Sequence, residues 1–174
     1  MKKKEVKAKE VLDILDILEK VGIDVWLDGG WGVDALLKKQ TRFHKDVDVI
    51  VSVNDVNRVK AIFGEKGFKL VKGGILTSFT LRDKSGKEID VHAVRFDKKG
   101  NGVYQMKNGK DWIYPAEGFT GKGKVGNREV KCLTAKTQIL CHAGYKLAKK
   151  DYDEMKALHE QFRVDYPEEY KNRF

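Results

Sequence analysis

Apolar residues recur at helical spacing near the start of the chain. Val11, Leu12, Leu15, Leu18 and Val21 share one face, with acids and lysines between them. Gly22 stands where such a helix ends in a left-handed residue. A short apolar strand over 23–27 follows, broken by Asp28-Gly29-Gly30, then a short helix over 31–37 and a polar loop over 40–45. The stretch Asp46–Ser52 is β-branched and alternates at its start, which predicts a strand. Residues 54–66 predict a helix with Val56, Val59, Ile62 and Phe63 inward, stopped by Gly67. Three strands are predicted over 68–71, 76–82 and 88–94, the last two joined by a hairpin turn at 84–87. Periodicity then fades between 95 and 131, where short hairpins are expected, one turning at Gly126-Asn127. Helices return from Thr134, one running to about 149 and a second from Asp151 through Leu158 and Phe162. The pattern predicts an α/β (α+β) fold, a mixed sheet with flanking helices and a helical C-terminal third. It fits a single domain over 1–174, with a core over 1–95, a hairpin-rich segment over 95–131 and C-terminal helices over 134–174.

Composition adds a charge to this outline. Lys and Arg total 35 against 26 Asp and Glu, a net charge of +9 over 174 residues. Residues 95–131 alone hold nine Lys or Arg against four Asp or Glu. Such a surplus attracts polyanions without choosing among them. Lys outnumbers Arg 28 to 7, which fits solvated surface better than forked phosphate recognition. Cys132 and Cys141 lie outside any C-x-x-C spacing and read as thiols of a reducing compartment. Lys2-Lys3-Lys4 imitates the start of a signal peptide, but Asp13, Asp16 and Glu19 interrupt the apolar stretch behind it. No apolar window is long enough to span a bilayer. A cytoplasmic protein without a membrane partner is expected.

The residues that carry chemistry begin at Trp26-Leu-Asp-Gly-Gly-Trp-Gly-Val-Asp34. A strand ends, glycines turn the chain and a helix begins, so unpaired N–H groups could receive a phosphate. Taken alone, such a turn is more often plain strand-to-helix geometry. Asp46 and Asp48 project from one face of the next strand while Val47 and Val49 point the other way. At about 6.6 Å and an effective dielectric near 20, two carboxylates repel by about 2.5 kcal/mol. A bound Mg²⁺ turns that repulsion into attraction. Asp90 belongs to a third strand, whose polar face it shares with Glu88 and His92. Three carboxylates beside a phosphate cradle form the layout used for two-metal phosphoryl chemistry.

Gly29-Gly30-Trp31, Asp46-x-Asp48 and Asp90 resemble the polymerase-beta-type nucleotidyltransferase superfamily. The longer run W-L-D-G-G-W-G-V-D…T-R-x-H-x-D-x-D, with Cys141-His-Ala-Gly-Tyr145, is similar to the lincosamide and aminoglycoside 2″-nucleotidyltransferase group. The resemblance spans roughly 24–158 with a gap in the middle. It implies transfer of a nucleoside monophosphate, AMP from Mg-ATP, to a hydroxyl of a small molecule, with release of pyrophosphate. It further implies that Asp46 and Asp48 bind two Mg²⁺ ions, and that Asp90 binds one and acts as general base. Gly29 and Gly30 would hold the phosphates, and the resemblance favours His142 and Tyr145 as nucleotide contacts. By position alone Arg42, His44 and Lys45, just before the metal strand, could neutralise the triphosphate or be an exposed polar loop, and Trp31 at the helix mouth could line the nucleotide site. Gly30 replaces the serine common in the wider superfamily.

Bland alternatives stand beside several of these residues. His142 and Tyr145, three apart on one helix face, could instead be an interior hydrogen-bonded pair. His92 reads as a structural strand residue, and Asp151-x-x-Glu154 as a capping box with Asp151 at the N-cap. Trp26 and Trp112 read as core or wall. Two other functions are carried forward: the same chemistry on RNA or protein, and a non-catalytic nucleotide- or nucleic-acid-binding module. The sequence leaves the acceptor and the oligomeric state, a homodimer included, undecided.

Overall fold

The computed structural model describes residues 5–173, so the Lys2–Lys4 run lies outside the described residues. Helix α1 (Ala8–Glu19) buries Val11, Ile14, Leu15 and Leu18. Strand β1 (Val25–Asp28) leads directly into α2 (Gly29–Leu37). This helix starts two residues before the expected Trp31. Asp28 caps it by accepting from the Gly29 N–H at 2.7 Å, which brings both glycines into its first turn. Strand β2 (Asp46–Ser52) is followed by a short 3₁₀ turn and α3 (Val56–Glu65), whose Val56, Val59 and Phe63 are buried.

Strands β3 (Lys69–Ile75), β4 (Ser78–Arg82) and β5 (Glu88–Phe96) complete the main sheet, in the order β1-β2-β5-β4-β3. Only β2 and β5 run parallel, so the sheet is mixed. The turn between β4 and β5 is organised by Asp83, whose carboxylate accepts from the N–H groups of Ser85 and Lys87. Val47, Val49 and Val51 of β2, with Ile89, Val91 and Ala93 of β5, enter the core beneath α1 and α3. Their alternates Asp46, Asp48, Asp90 and His92 are left on the opposite face.

The segment 95–131 folds into two hairpins. Strand β6 (Gly102–Gln105) pairs with the end of β5 and with β7 (Asp111–Tyr114), while β8 (Lys122–Val125) pairs with β9 (Arg128–Lys131) across the Gly126-Asn127 turn. Several of the basic residues here are neutralised. Arg128 binds Asp16 and Glu19 of α1, Lys131 binds Asp24 at 2.6 Å, and Lys122 reaches Glu129 at 3.3 Å.

The C-terminal third departs from the expected pair of long helices. Helix α4 (Ala135–Leu140) is six residues long, and α5 (Lys149–Phe162) begins only after Ala148. Between them the N–H groups of His142 and Ala143 bond three residues back, and Gly144 at φ +85° takes the chain out of the helix. His142 and Tyr145 therefore lie in the connecting turn, not along one helix face. The expected capping box is corrected as well. Asp151 is the third residue of α5, where it accepts from the Ala148 N–H at 2.7 Å, and Glu154 is turned elsewhere.

Candidate active site

Register brings the acids together. Asp48 of β2 lies opposite Asp28 of β1 on one side and Asp90 of β5 on the other, and Thr80 of β4 follows opposite Asp90. Directly paired residues of neighbouring strands point to the same face, so Asp28, Asp48, Asp90 and Thr80 form one row across four strands. Asp46 stands two residues along and pairs with Glu88, which the Arg82 guanidinium neutralises. The Thr80 hydroxyl donates to Asp90 Oδ1, so that carboxylate is held on this face of the sheet.

The electrostatics follow from that crowding. Burial pushes the Asp48 carboxyl up to about 8; the charge of His92 opposes the shift, and the carboxylates of Asp28, Asp46 and Asp90 add to it. Burial alone would discharge His92. Asp28, whose Oδ2 lies 3.5 Å from Nδ1, together with Asp48 and Asp90 outweighs burial and raises that imidazole. A divalent cation fits this donor set: hard oxygens crowded enough to force a proton onto one of them are the ligands Mg²⁺ selects. The oxygens of Asp46, Asp48 and Asp90 nevertheless do not all lie within 4.8 Å of one another. Among the described residues, the trio that does is His142, Asp151 and Glu154.

A cleft of about 320 Å³ opens over Asp28, Asp46 and Asp48, at the start of α2. Gly29, at φ +55°, leaves no room for a side chain: a Cβ there would sit 2.4 Å from Asp48 Oδ2. A Cβ on Gly30 would meet Arg42 Nη2 and His44 Cε1 at 2.5 Å. The backbone at the α2 N-terminus thus approaches the acids and two potential cations at once. Arg42 is fixed by Glu154 of α5, through Nε at 2.7 Å and Nη2 at 2.6 Å. His44 is buried, its Nε2 lying 2.5 Å from Asp34 Oδ2, while Asp34 Oδ1 accepts from the Thr41 N–H and hydroxyl.

The far wall comes from the turn after α4. The Nδ1–H of His142 donates to the Gln138 carbonyl at 2.8 Å, and its Nε2 faces Glu154 at 3.5 Å and Asp151 at 4.0 Å. Burial disfavours the imidazolium, but the Glu154 hydrogen bond and the nearby acids hold its pKa above the ordinary value. Tyr145 stacks on His142 with ring centroids 6.3 Å apart.

The sequence of the chain matches the Aminoglycoside-2''-adenylyltransferase family over residues 10–158. The protein belongs to that family. It is 28% identical over 158 residues to a lincosamide resistance protein of Staphylococcus haemolyticus, covering 91% of this chain and 98% of that one. Its fold resembles the lincomycin-bound crystal structure of the lincosamide antibiotic adenylyltransferase LnuA, with a TM-score of 0.80, 28% identity and coverage of 89% and 98% of the two chains. ANT(2")-Ia in complex with adenylyl-2"-tobramycin shares the fold at 17% identity, with a TM-score of 0.68 and 88% of each chain covered. As an adenylyltransferase family member the protein is a nucleotidyltransferase acting on a small-molecule hydroxyl, with a nucleotide donor and a divalent metal. This overtakes the expectation of a non-catalytic binding module. Among the described residues no helix is long and apolar enough to cross a membrane.

Of the expected site residues, Gly29, Gly30, Arg42, Asp46, Asp48, His142 and Tyr145 wall the cleft of this adenylyltransferase. Asp90 stands in the row beside Asp48 without walling it. Trp31, expected as a nucleotide contact, is buried in the core outside the cleft wall, packed on His44 with ring centroids 4.9 Å apart. Lys45 is exposed and outside the wall, since its neighbour His44 takes the inward place. Sequence reasoning missed Asp28, Gln138 and Glu154. Gln138 is fully buried and walls the cleft, yet among the described residues neither atom of its side-chain amide has a hydrogen-bond partner. Its only sequence signal was a polar residue on the buried side of a short helix.

Proposed function

We propose that this cleft moves AMP from Mg-ATP to a hydroxyl of a small molecule. The row of Asp28, Asp48 and Asp90 beside a helix start stripped of side chains carries the reading. Asp46 and Asp48, with Asp90 completing the set, would hold two Mg²⁺ ions. When bound, these supply charge neutralisation for the triphosphate and the departing pyrophosphate. Gly29 and Gly30, without side chains, let the phosphates approach the α2 N-terminus, where the Gly30 N–H and the guanidinium of Arg42 receive phosphate oxygens. Thr80 occupies Oδ1 of Asp90, which leaves Oδ2 to accept the proton of the acceptor hydroxyl. The acceptor oxygen then forms its bond to the α-phosphorus as the bond to pyrophosphate breaks. His142 and Tyr145 close the opposite wall over the nucleotide.

A small acceptor is favoured over RNA or protein because basic residues of the 95–131 segment are tied to acids of α1 and its neighbours. The two free thiols fit a cytoplasmic setting. Pyrophosphate release from ATP tests the reaction, with lincomycin and tobramycin as acceptor probes and labelled ATP in a cell extract as the comparison. Mg²⁺-dependent release with a small acceptor, abolished by Asp48→Asn, is expected. Full activity of that variant refutes the metal assignment, and label confined to macromolecules refutes the small acceptor.

A further inference from the structure

Away from the strand row, three buried side chains converge where α5 meets the turn before it. His142, Asp151 and Glu154 each offer a ligand atom, and these atoms lie within 4.8 Å of one another. Asp151 and Glu154, three apart on α5, share one helix face. The far atom of each side chain is already held. His142 Nδ1–H donates to the Gln138 carbonyl at 2.8 Å, Asp151 Oδ2 accepts from the Ala148 N–H at 2.7 Å, and Glu154 Oε1 accepts from Arg42 Nε at 2.7 Å. The near atoms are left facing each other, with His142 Nε2 3.5 Å from Glu154 Oε2 and 4.0 Å from Asp151 Oδ1.

We propose that His142, Asp151 and Glu154 form a binding site for a transition-metal dication, Zn²⁺ by preference, which clasps α5 to the α4–α5 turn. Spacing separates this from a plain ion pair. A charge-assisted hydrogen bond closes to about 2.7–2.9 Å, and the His44–Asp34 pair of this molecule closes to 2.5 Å. His142 Nε2 is held off both of its acids instead. Around a tetrahedral ion with bonds of about 2.0–2.2 Å, neighbouring ligand atoms stand about 3.3–3.6 Å apart. The Glu154 contact already has that spacing, and a small rotation of Asp151 supplies it on the other side. The held far atoms are the outer partners that orient such ligands. Gln138 adds an independent sign. It is fully buried and walls the same cleft, and among the described residues its amide has no hydrogen-bond partner. A water on the open position of an ion here would give that amide one. An imidazole with two carboxylates suits Zn²⁺, whereas Mg²⁺ takes oxygens alone and keeps its water. The site is distinct from the Asp46, Asp48 and Asp90 set and does not depend on nucleotidyl transfer.

The test titrates Zn²⁺ and Co²⁺ alone, without nucleotide, into the full chain carrying Asp46→Asn and Asp48→Asn, which removes the strand acids as competing ligands. One Zn²⁺ is expected to bind by calorimetry and to raise Tm. Co²⁺ should develop the visible absorption of an ion held by nitrogen and oxygen, and Zn²⁺ should abolish it. In that background His142→Ala and Asp151→Asn should each weaken Zn²⁺ by at least about tenfold. Asn at 151 can still accept from the Ala148 N–H, so the start of α5 is kept in the second variant. Absence of Zn²⁺ binding, displacement by equimolar Mg²⁺, or an affinity unchanged in either ligand variant overturns the site, the last because the ion then sits elsewhere on the surface. Pyrophosphate release has no part in these readouts, so failure of the transfer reading leaves them unaffected.

Discussion

Replacing Asp48 with Asn should make the metal-free protein more stable, increasingly so as pH rises. The folded carboxyl titrates at about 8 against 3.8 for an unperturbed one, because burial and its acidic neighbours disfavour the charge. Between those values the native state keeps a proton that the unfolded chain has released, so stability falls with pH across that window. One such proton is worth about 1.4 kcal/mol per pH unit. From pH 5 to pH 7 the wild-type protein should lose about 3 kcal/mol that Asp48→Asn keeps. For a chain of this length that is a divergence of about 6–11 °C in Tm. His92 adds in the same direction: its raised pKa contributes stability below the ordinary histidine range that is lost as pH rises, and Asp48 supplies part of that shift. Thermal unfolding in chelator, compared for the two proteins at pH 5, 6, 7 and 8, measures the difference. Millimolar Mg²⁺ should then recover the wild-type deficit at pH 7.5 and move the variant far less. Parallel Tm profiles for the two proteins in chelator would refute the crowding of acids around Asp48.

Gly29→Ala should lower transfer by at least about a hundredfold (about 3 kcal/mol), because strain at positive φ and a Cβ 2.4 Å from Asp48 Oδ2 both fall on the phosphate cradle; kcat/KM for ATP reads it. Arg42→Met and Glu154→Met, singly and together, should show a coupling of about 1–3 kcal/mol in urea unfolding, since each single change strands a mostly buried partner. Additive losses would mean that Arg42 and Glu154 do not hold each other. Gln138→Met should raise stability by about 1–3 kcal/mol by removing a buried amide that is unpaired among the described residues. The same change should weaken ATP or acceptor binding if that amide serves the cleft, which calorimetry with each ligand separates from the gain in Tm.

The parts of the site that lie close in sequence were legible from it. Asp46-x-Asp48 could only share a face once its strand was recognised, and Gly29-Gly30 announced a helix start free of side chains. Asp90 was reachable through alternation, because Ile89 and Val91 had to be core. The structure then supplied the parallel β2–β5 register that sets Asp90 opposite Asp48. What stayed hidden depends on long-range placement. Glu154 looked like half of a capping box and is instead the anchor of Arg42, 112 residues away. The turn at 141–148 was masked by good helix formers on both sides, with Gly144 as its one local sign. In 95–131 the charges drew attention away from Tyr104-x-Met106 and Trp112-x-Tyr114, whose period of two marked an aromatic strand face.

These hidden contacts give the C-terminal third its role in the cleft. The acids of the strand row and the glycines of the α2 start all belong to residues 28–90. Arg42, however, is held by α5, and the wall opposite the acids is built from the α4–α5 turn. His142 ties that turn to both helices, donating to the Gln138 carbonyl of α4 and facing Glu154 of α5. On the proposed reading the acids would set the chemistry, while the position of α5, through Glu154, would set how closely the Arg42 guanidinium approaches the phosphates. A change on α5 that shifts Glu154 should therefore alter nucleotide affinity through Arg42 while leaving the crowding that lifts the Asp48 pKa intact. The chelator Tm profile against pH and the KM for ATP separate those two effects.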